Sequence, residues 1–197
     1  MKVLIACEFS GVVREAFKAR GHDAWSCDLL PTEIPGNHIQ GDAREILFQG
    51  WNLLIAHPPC TYLCNSGVRW LYNGTKKNEP RWALMEEGAK FFLEMLNAPI
   101  PCIAVENPIQ HGYAKKIIGR TQSQVIQPWQ FGHGEIKATC FWLKGLQPLR
   151  PTNIVSGRVP RVAWASPGKD RWKERSVTLP GIAAAMAEQW GEPGDFA

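Results

Sequence analysis

Short apolar runs, each about the length of a strand and each closed by a polar or reactive loop, are what most restrict the fold of this chain. The first is "KVLIAC", residues 2–7, which runs into a loop holding Ser10 and Gly11. Such a run reads as a buried strand. "VVREAFKARG", residues 12–21, follows with Val12, Val13, Ala16, Phe17 and Ala19 near one helical face and Gly21 at its end. "HDAWSCDLL" (22–30), "NLLIAHPP" (52–59) and "PCIAVENP" (101–108) read as further strands, and "RWALMEEGAKFFLEMLNA" (81–98) has helical periodicity. "KATCFWLKGL" (137–146) is strand-like, and "GIAAAMAEQWG" (181–191) reads as a helix after Pro180. Strands alternating with helices predict an α/β fold with a doubly wound, mostly parallel sheet. At 197 residues the whole chain, 1–197, reads as one domain.

Composition narrows the function classes. Hydrophobic residues make up 45% and charged residues 20%, and no run of about 18 apolar residues suggests a membrane-spanning helix. "MKVLIACEFSG" lacks the pattern of a secretory signal. Cys7, Cys27, Cys60, Cys64, Cys102 and Cys140 are scattered, so free thiols in a cytoplasmic protein are expected. No paired C-x-x-C elements occur, and no metal site is expected. The net charge is +4, and much of it lies in a Pro-, Gly- and Arg-rich insert at about 150–175. There Arg150, Arg158, Arg161, Lys169, Arg171, Lys173 and Arg175 face only Asp170 and Glu174, with Trp164 and Trp172 among them. Basic residues mixed with aromatics suit phosphate contact and base stacking; the alternative is a solvated basic loop.

In doubly wound sheets, ligands bind beyond the carboxyl ends of the strands. That edge is expected to carry Glu8-Phe9-Ser10-Gly11, Asp28, Asp42, Pro58-Pro59-Cys60 and Glu106-Asn107-Pro108. Asp28, at the end of the second strand, suits ribose hydroxyls. Asp42 suits an adenine amino group, Phe9 a flat ring, and Gly11 close passage of the chain. Ser10 and Pro58 border the same pocket. The loop "EFSGVV" is not G-x-G-x-x-G, which argues against a pyrophosphate. A nucleoside cofactor without one, such as S-adenosylmethionine, fits better. Cys60 and Glu106 then form a pair, a soft nucleophile and a carboxylic acid at the ends of two strands. A thiolate adding to carbon 6 of a pyrimidine makes carbon 5 nucleophilic, and an acid at ring nitrogen 3 stabilises the charge. Cys64 is assigned to packing behind the loop.

These residues resemble the DNA cytosine-5 methyltransferases. "EFSGVVREAF" is similar to that family's first motif, "PPCTYLCNSG" to its Pro-Cys nucleophile motif, and Glu106-Asn107 to its Glu-Asn pair. Gly41-Asp42 resembles its adenine-side Gly-Asp, and "TLPGIAAAMAEQW" weakly resembles its final helix. The resemblance implies a Rossmann-like S-adenosylmethionine-dependent methyltransferase fold and methyl transfer to carbon 5 of cytosine in DNA. Cys60 would be the nucleophile and Glu106 the acid. Pro59, Asn107 and Lys137 would hold the base, Arg171 and Arg175 the nucleic acid, and Phe9, Ser10, Gly11, Asp28, Asp42 and Pro58 the cofactor. Where the family has Gln-x-Arg-x-Arg, this chain has Glu135, Lys137 and Thr139, so Lys137 alone keeps a charge there. After Leu143 only the short basic segment is available for target recognition. A partner subunit, a single-stranded, RNA or nucleotide substrate, and a phage or mobile-element setting are therefore kept as readings. A rival is a module of the same fold that binds cofactor or nucleic acid without catalysis. A second rival, amino-group methylation, expects an acid or amide before Pro-Pro and an aromatic after it, where this chain has His57 and Cys60.

Overall fold

Leu53–Ala56 is buried at every position, and Lys2–Ala6 at every position but its first. Runs without a polar face need a sheet covered on both sides. They become the middle strands, β4 (Leu53–Ala56) and β1 (Lys2–Ala6), paired in parallel from Val3 opposite Leu53 to Ala6 opposite Ala56. The computed structural model describes residues 1–161, 168 and 171–192, apart from the side chains of Arg171 and Glu174.

Seven strands form one sheet in the order β3-β2-β1-β4-β7-β9-β8. β2 is Asp23–Asp28, β3 His38–Gln40, β7 Cys102–Pro108, β8 Gln124–Ile126 and β9 Thr139–Lys144. All run parallel except β9, which is antiparallel to both β7 and β8. The strand-like reading of 137–146 thus holds, with its direction reversed. From β1 the chain winds outward through β2 and β3, then returns to β4 and winds the other way. The turning point lies between β1 and β4, where open α/β sheets bind ligands.

Helices cover the two faces. α1 (Val12–Ala19) and the last helix, Pro180–Trp190, pack Phe17, Ile182 and Met186 against Val3, Ile5, Leu53 and Ile55. α2 (Glu79–Leu96) and α3 (Gly112–Ile118) pack Phe92, Met95 and Ala114 in the other cluster, with Leu4, Ala6, Leu54 and Val105. A small hairpin, β5 (Tyr72–Asn73) and β6 (Lys76–Lys77), stands outside the main sheet. α4 (Arg171–Ser176) precedes the last helix, α5. No described helix is long and apolar enough to cross a membrane.

Candidate active site

Register brings His57 and Glu106 together. Ala56 lies opposite Val105 in the β4–β7 ladder. The next residue on each strand therefore faces the opposite side of the sheet, beside its neighbour. His57 Nδ1 lies 3.2 Å from Glu106 Oε2. β7 runs on past the end of β4, where Glu106, Asn107 and Pro108 pair only with β9. The free edge receives the Cys60 loop, and the Asn107 side-chain amide donates to the Pro58 carbonyl at 2.9 Å. Asn107 is buried, and its Oδ1 has no partner among the described residues.

The Cys60 loop is tied down by its own backbone. The amides of Leu63 and Cys64 both donate to the Cys60 carbonyl at 3.0 Å. The Asn65 amide donates to Ile109, and the His111 amide to Leu63, fixing the loop to the chain beyond β7. Cys64 caps a 3-10 turn, Asn65–Leu71, and its sulfur lies 3.0 Å from Ser66 Oγ. Within that turn Gly67 passes so close to the Thr61 carbonyl that a Cβ would collide with it.

Just beyond β1, Glu8 turns its carboxylate onto the start of α1. It accepts from the amides of Val13 at 2.7 Å and Arg14 at 3.2 Å, satisfying two of the orphan donors of that helix. Burial holds Glu8 above the usual carboxylate range, although His57 and those two amides oppose the shift.

These elements enclose a cleft of about 120 Å³. Of the residues singled out from the sequence, Phe9, Ser10, Pro58, Pro59, Cys60, Glu106, Asn107, Lys137 and Arg175 line it. Gly11, Asp28 and Asp42 do not. Gly11 sits at φ +76° before α1, where a side chain would strike the guanidinium of Arg14. Its missing side chain makes room for that arginine. Asp28 accepts from the Leu30 amide at 2.9 Å, and burial pushes its carboxyl up from the ordinary aspartate value despite that amide. Asp42 caps Ala43–Ile46 and is held in the ionised form by Arg44, whose Nε lies 2.9 Å from Asp42 Oδ2. Arg171 opens α4, and its side chain lies outside the described part, as do residues 162–167 and 169–170 of the basic insert.

Sequence reasoning gave His57 and Arg14 no part in the site and placed Glu8 on its edge without a role. His57 and Glu8 line the cleft, and their part in it depends on register and on a cap that no local spacing reveals. Arg14 is fully buried and donates to Ser26 Oγ at 2.8 Å and to Thr32 Oγ1 at 3.2 Å, organising the loop after β2. The apolar spacing of α1 showed its face but not that an arginine would occupy it.

The roof comes from α4 and the residues after it. Ser176, Val177 and Thr178 line the cleft with Arg175. Lys137 Nζ donates to the Arg175 carbonyl at 2.7 Å. Trp172 lies over Phe9, with ring centroids 5.8 Å apart.

The two loop sulfurs push each other in opposite directions. Hydrogen bonding to Cys64 and burial push the Cys60 thiol far up, while Arg175 pulls it down. Cys64 falls to about 5, stabilised first by Cys60 and then by Ser66 and the Gly67 amide. Cys64 is buried, as expected of a packing residue, but it is also an ionisable partner of Cys60.

No family model matches the chain, and no curated protein matches it. Among solved structures it is similar to a protein described as a DNA modification methyltransferase encoded within a prophage (E. coli). The identity is 16% and the TM-score 0.49, covering 84% of this chain and 55% of that one. It is also similar to the Entamoeba histolytica methyltransferase EhMeth, at 13% identity and a TM-score of 0.45, covering 84% of this chain and 60% of that one. The chain thus aligns with little more than half the length of either structure.

Proposed function

We propose that this protein methylates carbon 5 of a cytosine in nucleic acid, DNA first among the candidates, through a covalent bond to Cys60. One observation carries the reading: Cys60, on the loop after β4, and Glu106, on β7, line a single cleft at the turning point of the sheet. Cys60 adds to carbon 6 of the ring as its proton passes to Cys64, and the displaced ring electrons make carbon 5 nucleophilic. Glu106 gives its proton to ring nitrogen 3. His57 donates from Nδ1 to Glu106 Oε2, which leaves Oε1 for the base. After methylation, a water acting as base takes the carbon 5 proton, the double bond re-forms as the Cys60 sulfur leaves, Glu106 takes back the ring nitrogen 3 proton, and Cys64 returns its proton to Cys60.

The donor set fits S-adenosylmethionine. His57 Nε2 and Asn107 Oδ1 are buried polar atoms of cleft-lining residues with no partner among the described residues, and a polar ligand would complete them. Glu8, which lines the cleft, offers a carboxyl group to a cationic ligand. Phe9, Ser10 and Pro58, which line the same cleft, would hold the cofactor. When bound, it supplies an electrophilic methyl group.

A second reading, binding without turnover, draws on the Cys60 thiol being held protonated. Trapping separates the two. An oligonucleotide carrying 5-fluorocytosine, with S-adenosylmethionine, should form a denaturation-resistant adduct with the wild type and none with Cys60→Ser. Glu106→Gln should slow adduct formation by about 100-fold or more, because an amide cannot supply the proton. A wild type that binds cofactor and substrate but forms no adduct overturns the carbon-5 reading in favour of the second.

A further inference from the structure

Immediately beyond the nucleophile loop the chain builds a surface that the chemistry of the cleft does not use. Between Cys60 and Asn78 lie Arg69, Lys76 and Lys77 and no acidic residue. Trp70 is 52% exposed, whereas Leu71 beside it is buried and anchors the turn. Tyr72 opens the hairpin and is 37% exposed. The guanidinium of Arg69 sits 4.5 Å from the Trp70 ring centroid. Lys77 pairs with Glu79 at 2.9 Å, while Arg69 and Lys76 make no ion pair with the described residues.

Hydrogen bonds tie this surface to the chain that follows Cys60. Gly74, at φ +63°, starts the two-residue turn that joins Asn73 to Lys76. Asn78 closes the base of the hairpin: its amide donates to the Leu71 carbonyl at 2.9 Å, and its side chain donates to the Trp70 carbonyl at 3.2 Å. Arg81 then reaches back to the Thr61 carbonyl at 3.2 Å, one residue past Cys60.

We propose that the turn Asn65–Leu71 and the hairpin Tyr72–Lys77 are a docking surface for an unpaired nucleic-acid strand. Trp70 and Tyr72 stack on bases, and Arg69, Lys76 and Lys77 meet phosphates. The proposal rests on the cleft being a pyrimidine-modifying site and refines the form of its substrate. The strand form follows from the kind of exposed group. An unpaired base offers a ring face to an aromatic side chain. A duplex offers base edges in its grooves and phosphates outside, and leaves exposed ring faces unmatched. The uniformly positive charge suits a phosphate backbone. An unpaired strand also needs no flipping for its cytosine to reach Cys60.

Fluorescence anisotropy with a labelled 12-nucleotide single strand containing one cytosine, and with the duplex of the same sequence, tests this. The wild type should bind the single strand at least about tenfold more tightly, and its tryptophan emission should be quenched on binding. Trp70→Ala should weaken single-strand binding by about tenfold or more and remove most of the quenching; Trp70→Phe should recover much of the affinity. Lys76→Glu with Lys77→Glu should lower the salt dependence by about the slope of two phosphate contacts. Thermal melting checks that each variant is folded; these side chains are exposed. Equal or tighter duplex binding, no binding of either form, or unchanged affinity in Trp70→Ala would overturn the proposal. The chemistry is read separately by 5-methylcytosine in the product. Weakened hairpin variants together with no 5-methylcytosine from the wild type would support this surface and sink the cleft reading. Unaffected variants in a methylating enzyme would sink the surface alone.

Discussion

Cys60 and Cys64 stand four residues apart with opposite acid strengths. Cys60, Ser66 and the Gly67 amide push Cys64 down, whereas Cys64 and burial push Cys60 up. On the proposed chemistry Cys64 is the group that takes the Cys60 proton. Cys64→Ser removes that acceptor. Methyl transfer at pH 7 should fall by about 100-fold and recover as the pH rises past about 8.5, where an isolated thiol ionises. A pH–rate profile of kcat checks this, and an unchanged profile returns Cys64 to packing. Glu8 gives a separate pH signature. Burial raises its folded value, so the native state holds the proton more tightly than the unfolded chain. Stability from this group is present below the ordinary glutamate value and is lost as the pH rises through the folded one. Thermal unfolding between pH 4 and 7 should show the wild type losing stability with a slope that Glu8→Gln lacks.

The elements around the cleft were unequally legible. β1, β4 and β7 could be read because each is a short apolar run stopped by a polar or proline-containing loop. Cys60 and Glu106 stood out for the same reason, each closing such a run. β3 and β8 are three residues each, too short for a periodicity to show, and the sense of β9 is set by sheet order, which local sequence does not encode. The pairing of His57 with Glu106 likewise exists only through the β4–β7 register. Asp28 and Asp42 were drawn to the site by their place at strand ends, but turn and cap geometry gives both local partners. At this scale Gly67→Ala is the informative change. Its Cβ would strike the Thr61 carbonyl and push the Cys60 loop out of place. Strain of this kind costs about 1–3 kcal/mol. Activity should fall by at least about tenfold while urea unfolding shows only that modest loss.

For the molecule as a whole, two apolar layers share one sheet, and order should decay away from its centre. Val3, Leu4, Ile5, Ala6 and the whole of β4 are inaccessible to solvent, whereas Tyr72–Lys77 is exposed at every residue. Hydrogen exchange should therefore be slowest in β1, β4 and the middle of β7 and fastest in the hairpin. Equal protection across the sheet and hairpin would contradict this layering. The roof adds a constraint of another kind. Sites that take drug-sized molecules usually measure about 300–1,000 Å³, and the space beneath α4 is about 120 Å³. On the proposed chemistry a nucleoside and a pyrimidine need more room than that, and Lys137, which fastens the helix at the Arg175 carbonyl, is the contact whose release would supply it. The residue that the sequence suggested for steadying the base would then also govern entry, and turnover would follow the loosening of that contact as much as the reaction at the sulfur.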